Sequence, residues 1–416
     1  MEHGLALVTN DAVVLGLLSL ILGFVFYTER SAHPFWQRFY RYVPGLLLCY
    51  FLPSLLNTFG IVDPEKSKLY FVSSRYLLPC CLVLLTLSVD LGAIARLGYK
   101  AVTMFLTGTV GIVLGGPIAL LLVGWISPET VGGQGPDAVW RGMTTIAGSW
   151  IGGGANQAAM KEVFDVGDAL FSQMVAVDVL CASVWMAVLL YMAGRASSID
   201  KWMGADTSAI EDLKRRVERF HAEHGRHLTL PDLIFILAVG FGATGFAHAV
   251  AGFVAPWIGA NAPGLARLSL TSSFFWIVVT ATSIGLALSF TPAKKLEGAG
   301  ASRVGSAMLY VLVASIGLGM DVSAVFTNPG LFLVGGIWIG FHALLLIIMA
   351  RILRAPVFYL AVGSQANVGG AASAPVVASA FHPSLAPAGV LLAVLGYALG
   401  TYAAWICGLL MQGVAA

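Results

Sequence analysis

Two glycine-rich runs carry most of the chemistry this sequence can offer. One reads Gly148-Ser149-Trp150-Ile151-Gly152-Gly153-Gly154-Ala155-Asn156-Gln157. The other reads Gly363-Ser364-Gln365-Ala366-Asn367-Val368-Gly369-Gly370-Ala371-Ala372-Ser373. Gly152, Gly153 and Gly154 in the first run, and Gly369 and Gly370 in the second, break a helix within an apolar stretch. Unwound backbone is tolerated in such surroundings only when it is buried in protein or lines a wet cavity. A helix that restarts after the break turns its free N–H groups and positive dipole end toward it. Helix ends of this kind attract an anionic group at their N-termini and a small cation at their freed carbonyls. The neighbouring side chains suit that work: Ser149, Asn156 and Gln157 at the first break, and Ser364, Gln365, Asn367 and Ser373 at the second. Ser373 is expected to cap the second restart, with Pro375 in its first turn. The competing reading is glycine for close helix packing, which calls for small residues four apart and no amide cluster.

Asp178 is the next candidate. It lies deep in Phe171-Ser172-Gln173-Met174-Val175-Ala176-Val177-Asp178-Val179-Leu180. A carboxylate in an apolar helix is costly and usually functional. It would coordinate a cation, carry a proton, or make a structural hydrogen bond to a neighbouring helix. Asp90 and Asp321 recur near helix ends, where capping, or pairing of Asp90 with Arg96, is a sufficient reason for them. His248 and His342 read as hydrogen-bonding residues rather than relays. Thr280, Thr282 and Ser283 would line a polar path or bond back to carbonyls. Lys161 and Glu162 read equally as a pair lining a mouth and as a local ion pair. Catalytic constellations are absent: there is no His-Glu-x-x-His, no Walker loop, and no Gly-x-Ser-x-Gly between strand and helix. An enzyme is therefore not expected, and any pumping must draw on an ion gradient rather than ATP.

The elements that position these residues follow from composition. Of 416 residues, 58% are hydrophobic and only 11% are charged, against about a quarter in soluble domains. With a mean hydropathy of +0.85, this excludes a soluble enzyme, a disordered chain and a nucleic-acid-binding module. The apolar residues come in long runs rather than alternating, which excludes a β-barrel and leaves a polytopic α-helical membrane protein. Runs lie near 11–27, 43–58, 69–93, 100–124, 141–165 and 168–193, and again near 231–256, 270–290, 304–326, 331–350, 356–380 and 385–411. The chain thus divides into a first repeat over 1–194, a charged linker over 195–230 and a second repeat over 231–416. The third runs share Ser88-Val89-Asp90-Leu91 and Gly319-Met320-Asp321-Val322, and the fifth runs share the glycine breaks. The linker predicts a helix over Ala209–His224, with Ile210, Leu213, Val217 and Phe220 on one stripe. His221, His224 and His227 do not make a metal site at that spacing, and no metal beyond a bound Na⁺ is expected. Cys49, Cys80, Cys81, Cys181 and Cys407 read as gap-fillers in apolar runs. The N-terminus lacks the basic region of a signal peptide, so the first run reads as a retained span.

Orientation follows from the basic residues, which favour the cytoplasmic side. Arg30, Arg38, Arg41, Arg96, Lys100, the linker, Lys294, Lys295, Arg303, Arg351 and Arg354 all fall on one side only if each half crosses an odd number of times. That makes the fifth element of each half broken or re-entrant, the halves inverted repeats, the N-terminus external and the linker cytoplasmic in a cell membrane.

Ala147-Gly-Ser-Trp-Ile-Gly-Gly-Gly-Ala-Asn156 and Val362-Gly-Ser-Gln-Ala-Asn-Val-Gly-Gly-Ala371, together with the Asp90/Asp321 pair, resemble the YjcL-like integral membrane family, a domain-of-unknown-function family numbered 819. The resemblance implies a place among the cation:proton antiporters, bile-acid-type sodium symporters and sodium/glutamate symporters. It further implies inverted repeats, a mobile core sliding against a scaffold, and a homodimer. The chain departs from the antiporters, which carry paired acids at the crossing, since only Asp178 lies near it. The expectation is a Na⁺-coupled symporter of elevator type for a small organic anion or amino acid. Ser149, Asn156, Gln157, Ser364, Gln365, Asn367 and Ser373 would line the substrate site. Asp178, with the backbone of Gly152–Gly154 and Gly369–Gly370, would hold the ion. The alternatives are a cation/proton antiporter built on Asp178, or, from another class, a receptor or membrane-embedded enzyme.

Overall fold

In the computed structural model, residues 8–40, 43, 45–206, 228–320, 327–382 and 385–415 are described. The expected helix over 209–224, the three linker histidines and Asp321 lie outside those residues. Thirteen helices matter for the argument. They are α1 (Asp11–Glu29), α2 (Gly45–Thr58), α3 (Leu69–Leu87), α4 (Tyr99–Ile126), α5 (Val139–Val163) and α6 (Asp168–Gly194). Then come α7 (Leu230–Asn261), α8 (Ser273–Leu288), α9 (Ala301–Gly319), α10 (Gly330–Ile352), α11 (Val357–Val368), α12 (Gly370–Phe381) and α13 (Ala386–Ala415). No β-strand occurs among the described residues.

Local chemistry explains the boundaries. Asn10 starts α1, its side-chain oxygen accepting from the amide of Ala12 at 2.9 Å. Thr229 and Asp232 form a reciprocal capping box at the head of α7. Within α3 the backbone widens into a π-turn over Ser73–Leu77. Pro79 follows it and has no N–H for the carbonyl of Arg75. His248 on α7 takes that carbonyl instead, at 2.8 Å, which gives this apolar-run histidine the hydrogen-bonding role expected of it.

Among the described residues, eight helices are long and apolar enough to cross a membrane: α1, α3, α4, α6, α7, α9, α10 and α13. Counting the two bent pairs that contain α2 and α8 brings the number to ten. Those ten divide five and five between the halves of the chain. The two elements left over are α5 and the pair α11–α12, the ones that carry the glycine runs.

The helices sort into two groups, each drawn from both halves. The first three elements of one half, α1–α3, pack with the first three of the other, α7–α9. The last three, α4–α6, pack with α10–α13. The contacts recur with the halves exchanged. α2 meets α9 as α8 meets α3, α1 meets α9 as α7 meets α3, and α6 meets α10 as α13 meets α4. All five cysteines are buried and unpaired, as gap-fillers should be.

Candidate functional site

The first break is a single residue. Gly153 adopts φ 73° and ψ −174° in the middle of α5, a combination open in practice to glycine alone. Helix α13 makes room for it. A Cβ on Gly396 would collide with the carbonyl of Ile151, and one on Gly400 would sit 2.6 Å from the Cα of Gly152. The carbonyl of Ala366, on the other glycine run, also faces Gly396, 3.7 Å from where a Cβ would be. Both broken elements therefore turn a carbonyl toward the same glycine. Spaced four apart on α13, Gly396 and Gly400 do the close packing, with Gly152 facing them, while Gly153 alone does the breaking.

Asp178 on α6 spans that break. Its carboxylate accepts from Trp150 Nε1 at 2.7 Å, ahead of Gly153, and from Gln157 Nε2 at 2.9 Å, behind it. The side chain of Ser149 also bonds it. Gln157 in turn accepts from the hydroxyl of Tyr50 on α2 at 3.3 Å, linking the two helix groups. Asp178 is 6% exposed. One carboxylate thus pins both arms of a broken helix, and three of its roughly four acceptor positions are filled.

Asn156 is fully buried. It donates to the carbonyl of Gly152 at 3.0 Å and accepts from Thr401 on α13 at 2.6 Å. Thr401 continues to Thr282 on α8 at 3.2 Å, and Ser283 one residue on bonds Tyr402 at 2.7 Å. Asn367 mirrors Asn156. It donates to the carbonyls of Gly363 and Phe105 and accepts from Thr109 on α4 at 2.8 Å. Ser364 lies between two rings: Trp185 Nε1 donates to its oxygen at 2.7 Å, and His342 Nε2 lies 2.8 Å away. The other nitrogen of His342 meets the carbonyl of Gly108 at 2.9 Å. A carbonyl only accepts, so Nδ1 carries the proton and Nε2 accepts from Ser364.

The second break falls at Gly369 and Gly370, the latter with φ 59°. Here the structure corrects an expectation. Ser373 does not cap α12. Its hydroxyl instead accepts from Gln365 Nε2 at 2.7 Å, and α12 begins with no side-chain cap. Pro375 lies inside α12 rather than in its first turn, where its missing N–H leaves the carbonyl of Ala371 without its helical donor. A Cβ on Gly369 would strike Ser373 and Gln365; glycine is what lets those two side chains meet. Gln365 Oε1 is the one buried side-chain polar atom without a partner among the described residues.

Sequence reasoning named the amides, serines and Asp178 but missed Tyr50, Trp150, Trp185, Thr109 and Thr401. Polar tips in apolar runs were the available signal, and buried Trp and Tyr usually find partners. Asp90 meets Lys294 at 3.9 Å; the side chain of Arg96, its expected partner, lies outside what the structure describes. Lys161 and Glu162 do not pair with each other. Lys161 meets Asp168 at 2.8 Å and the hydroxyl of Tyr70 at 3.0 Å. Glu162 meets Arg75 at 2.8 Å and also accepts from Tyr70. This lattice joins α5 and α6 to α3 between two cavities. One, of about 490 Å³, touches Tyr70 and Asp168; the other, of about 440 Å³, touches Arg75 and Glu162. No cluster of metal-ligating side chains occurs among the described residues.

The family model described as "Protein of unknown function (DUF819)" matches residues 16–414. The chain belongs to that family. It is a DUF819 membrane protein, with both glycine breaks inside the matched region. It is also similar to the "Uncharacterized membrane protein YjcL" of Bacillus subtilis (strain 168). The two are 22% identical over 379 residues, which cover 88% of this chain and 89% of that protein.

Proposed function

We propose that this DUF819 protein is a secondary active transporter, a Na⁺-coupled symporter that carries a small organic anion or amino acid by an elevator movement. The observation that carries the reading is the meeting of two broken helices, one from each half, whose buried amides and serines surround the breaks. Paired discontinuous helices at the meeting of repeats are the usual construction of a transporter's binding site. In this reading the two halves are inverted repeats, each with five spans and one broken element. The group α4–α6 with α10–α13 is the moving core, and α1–α3 with α7–α9 is the scaffold, in a homodimer. Basic loops put the N-terminus outside and the linker in the cytoplasm of the cell membrane. Ser149, Asn156, Gln157, Ser364, Gln365, Asn367 and Ser373 shape the substrate site. The last open acceptor position of Asp178, with the backbone of Gly152–Gly154 and Gly369–Gly370, serves the ion. No enzyme activity is part of this proposal.

The test is thermal stability of the purified protein in Na⁺, K⁺ and choline at acid and alkaline pH. A ligand that binds only the folded state raises the melting temperature by mass action. A Na⁺-specific rise, with a further rise from one carboxylate or amino acid, supports the symporter. A pH effect with no cation effect points to the second reading, a cation/proton exchanger built on Asp178, which rests on that residue being the acid that touches a break. Asp178→Asn loses an acceptor at the break, and uptake into proteoliposomes is expected to vanish or lose its ion dependence. Unchanged, still Na⁺-dependent uptake removes the ion role from Asp178.

A further inference from the structure

We infer that the second break reads an amine, so that the substrate is a zwitterionic α-amino acid rather than a simple carboxylate. The inference rests on the transporter reading above and narrows its substrate class.

The argument begins with Gln365, which is 1% exposed. An amide has a donor end and an acceptor end, and burial obliges both to find partners. The donor end meets Ser373 at 2.7 Å. The acceptor, Oε1, has no partner. Leaving such a group bare is costly. Elsewhere around the breaks every buried amide is used at both ends: Asn156 through Gly152 and Thr401, Gln157 through Asp178 and Tyr50, Asn367 through Gly363, Phe105 and Thr109. One orphan acceptor among saturated neighbours calls for a donor.

The same turn makes the opposite demand. Helix α12 starts at Gly370 without a side-chain cap, because its N-cap position is Gly369. Its first N–H groups and dipole end therefore favour an anion. A donor-seeking oxygen and anion-seeking amides thus lie within one turn of Gly369. The molecule that satisfies both carries an ammonium and a carboxylate on neighbouring carbons. A hydroxy acid or keto acid satisfies the amides but offers Gln365 a weaker donor or none. Hydrogen bonds to a charged group are worth about 1.5–3 kcal/mol, so loss of the amine contact is expected to weaken binding roughly ten- to a hundredfold.

The experiment is a matched-ligand comparison on the full-length protein in detergent, with Na⁺ and with choline. The probes are α-amino acids and, for each side chain, the 2-hydroxy and 2-keto acid. The expected result is a melting-temperature rise from at least one amino acid and none from its two counterparts at equal concentration. That response is lost in Gln365→Met and kept in Gln365→Glu, whose carboxylate still accepts from an ammonium. Equal stabilisation by the amino acid and the hydroxy acid overturns the amine assignment and leaves an organic-anion transporter standing. A Na⁺ response abolished by Gln365→Met, with no amino acid preference, gives Oε1 to the cation and overturns it too. So does a response to neither ligand series. The comparison on the unaltered protein decides the matter even where Gln365→Met does not fold. Proteoliposome counterflow with the amino acid found then tests transport by itself: binding without flux keeps the role of Gln365 and removes the transporter reading.

Discussion

At the scale of single residues, hydrogen bonding rather than charge holds the site together. Trp150 illustrates it. Trp150→Phe keeps an aromatic ring but removes the donor to Asp178 ahead of the break. A loss of about 1–3 kcal/mol is expected, seen as a lower melting temperature by circular dichroism in detergent. No change would mean that Gln157 and Ser149 suffice. Asp200 makes a second case, outside the membrane-spanning helices. Burial pushes its carboxyl above the ordinary range, against the 2.7 Å hydrogen bond it accepts from the amide of Val357 at the head of α11. A folded-state value above the unfolded one means that this group favours folding at acid pH. The contribution fades as pH rises through the folded-state value. Asp200→Asn keeps an acceptor for Val357 and removes the buried charge. At neutral pH the variant is expected to melt no lower than the parent, and any advantage should shrink on acidification. An advantage that grows on acidification would contradict the sign. The amides and Asp178 were legible in the sequence because polar atoms in apolar runs stand out. Their partners were not, because a pair such as Trp185 and Ser364 joins residues 179 apart in the chain.

At the scale of elements, the breaks separate two uses of glycine. Gly153 holds a backbone geometry that an L-residue resists, yet the space around it is open, since a Cβ there would lie 3.7 Å from Tyr397. Gly154 has ordinary helical geometry and comparable room, 3.8 Å from Leu309. Gly153→Ala is therefore expected to cost about 1–3 kcal/mol through backbone strain, while Gly154→Ala should be neutral or slightly stabilising. Thermal unfolding of the two variants side by side checks this. Equal effects would show that crowding, not backbone geometry, selects glycine here. The run of three glycines announced a break but not which residue would bend. The second break was placed well, yet its cap was not. Ser373 has the side chain of a good N-cap, but α12 begins three residues earlier, with Gly369 at the cap position.

At the scale of the whole molecule, the element count was legible and the arrangement was not. Twelve apolar runs became twelve helical elements near the expected bounds, because length and hydropathy are local properties. Which elements pack together depends on contacts between distant parts of the chain, and periodicity is silent there. The lattice of Tyr70, Arg75, Lys161, Glu162 and Asp168 is where the two helix groups meet through charge. Glu162→Gln weakens the attraction to Arg75 while keeping the side-chain shape. For this partly exposed pair a modest loss of about 1 kcal/mol is expected. Hydrogen exchange should quicken at the start of α3 and the end of α5 and stay unchanged in α4 and α10. Uniform quickening would mean that the lattice supports the fold as a whole.

The buried state of Cys49, Cys80, Cys81, Cys181 and Cys407 has a practical consequence. Thiolate reactivity needs access as well as ionisation, so the folded protein should be nearly blank to a bulky maleimide dye. A cysteine placed at exposed Gln134 or exposed Lys201 would then report alone, on the natural background. With a membrane-impermeant dye on intact cells, colour at position 134 and none at 201 would fix which way round the chain sits. The reverse pattern would turn it over.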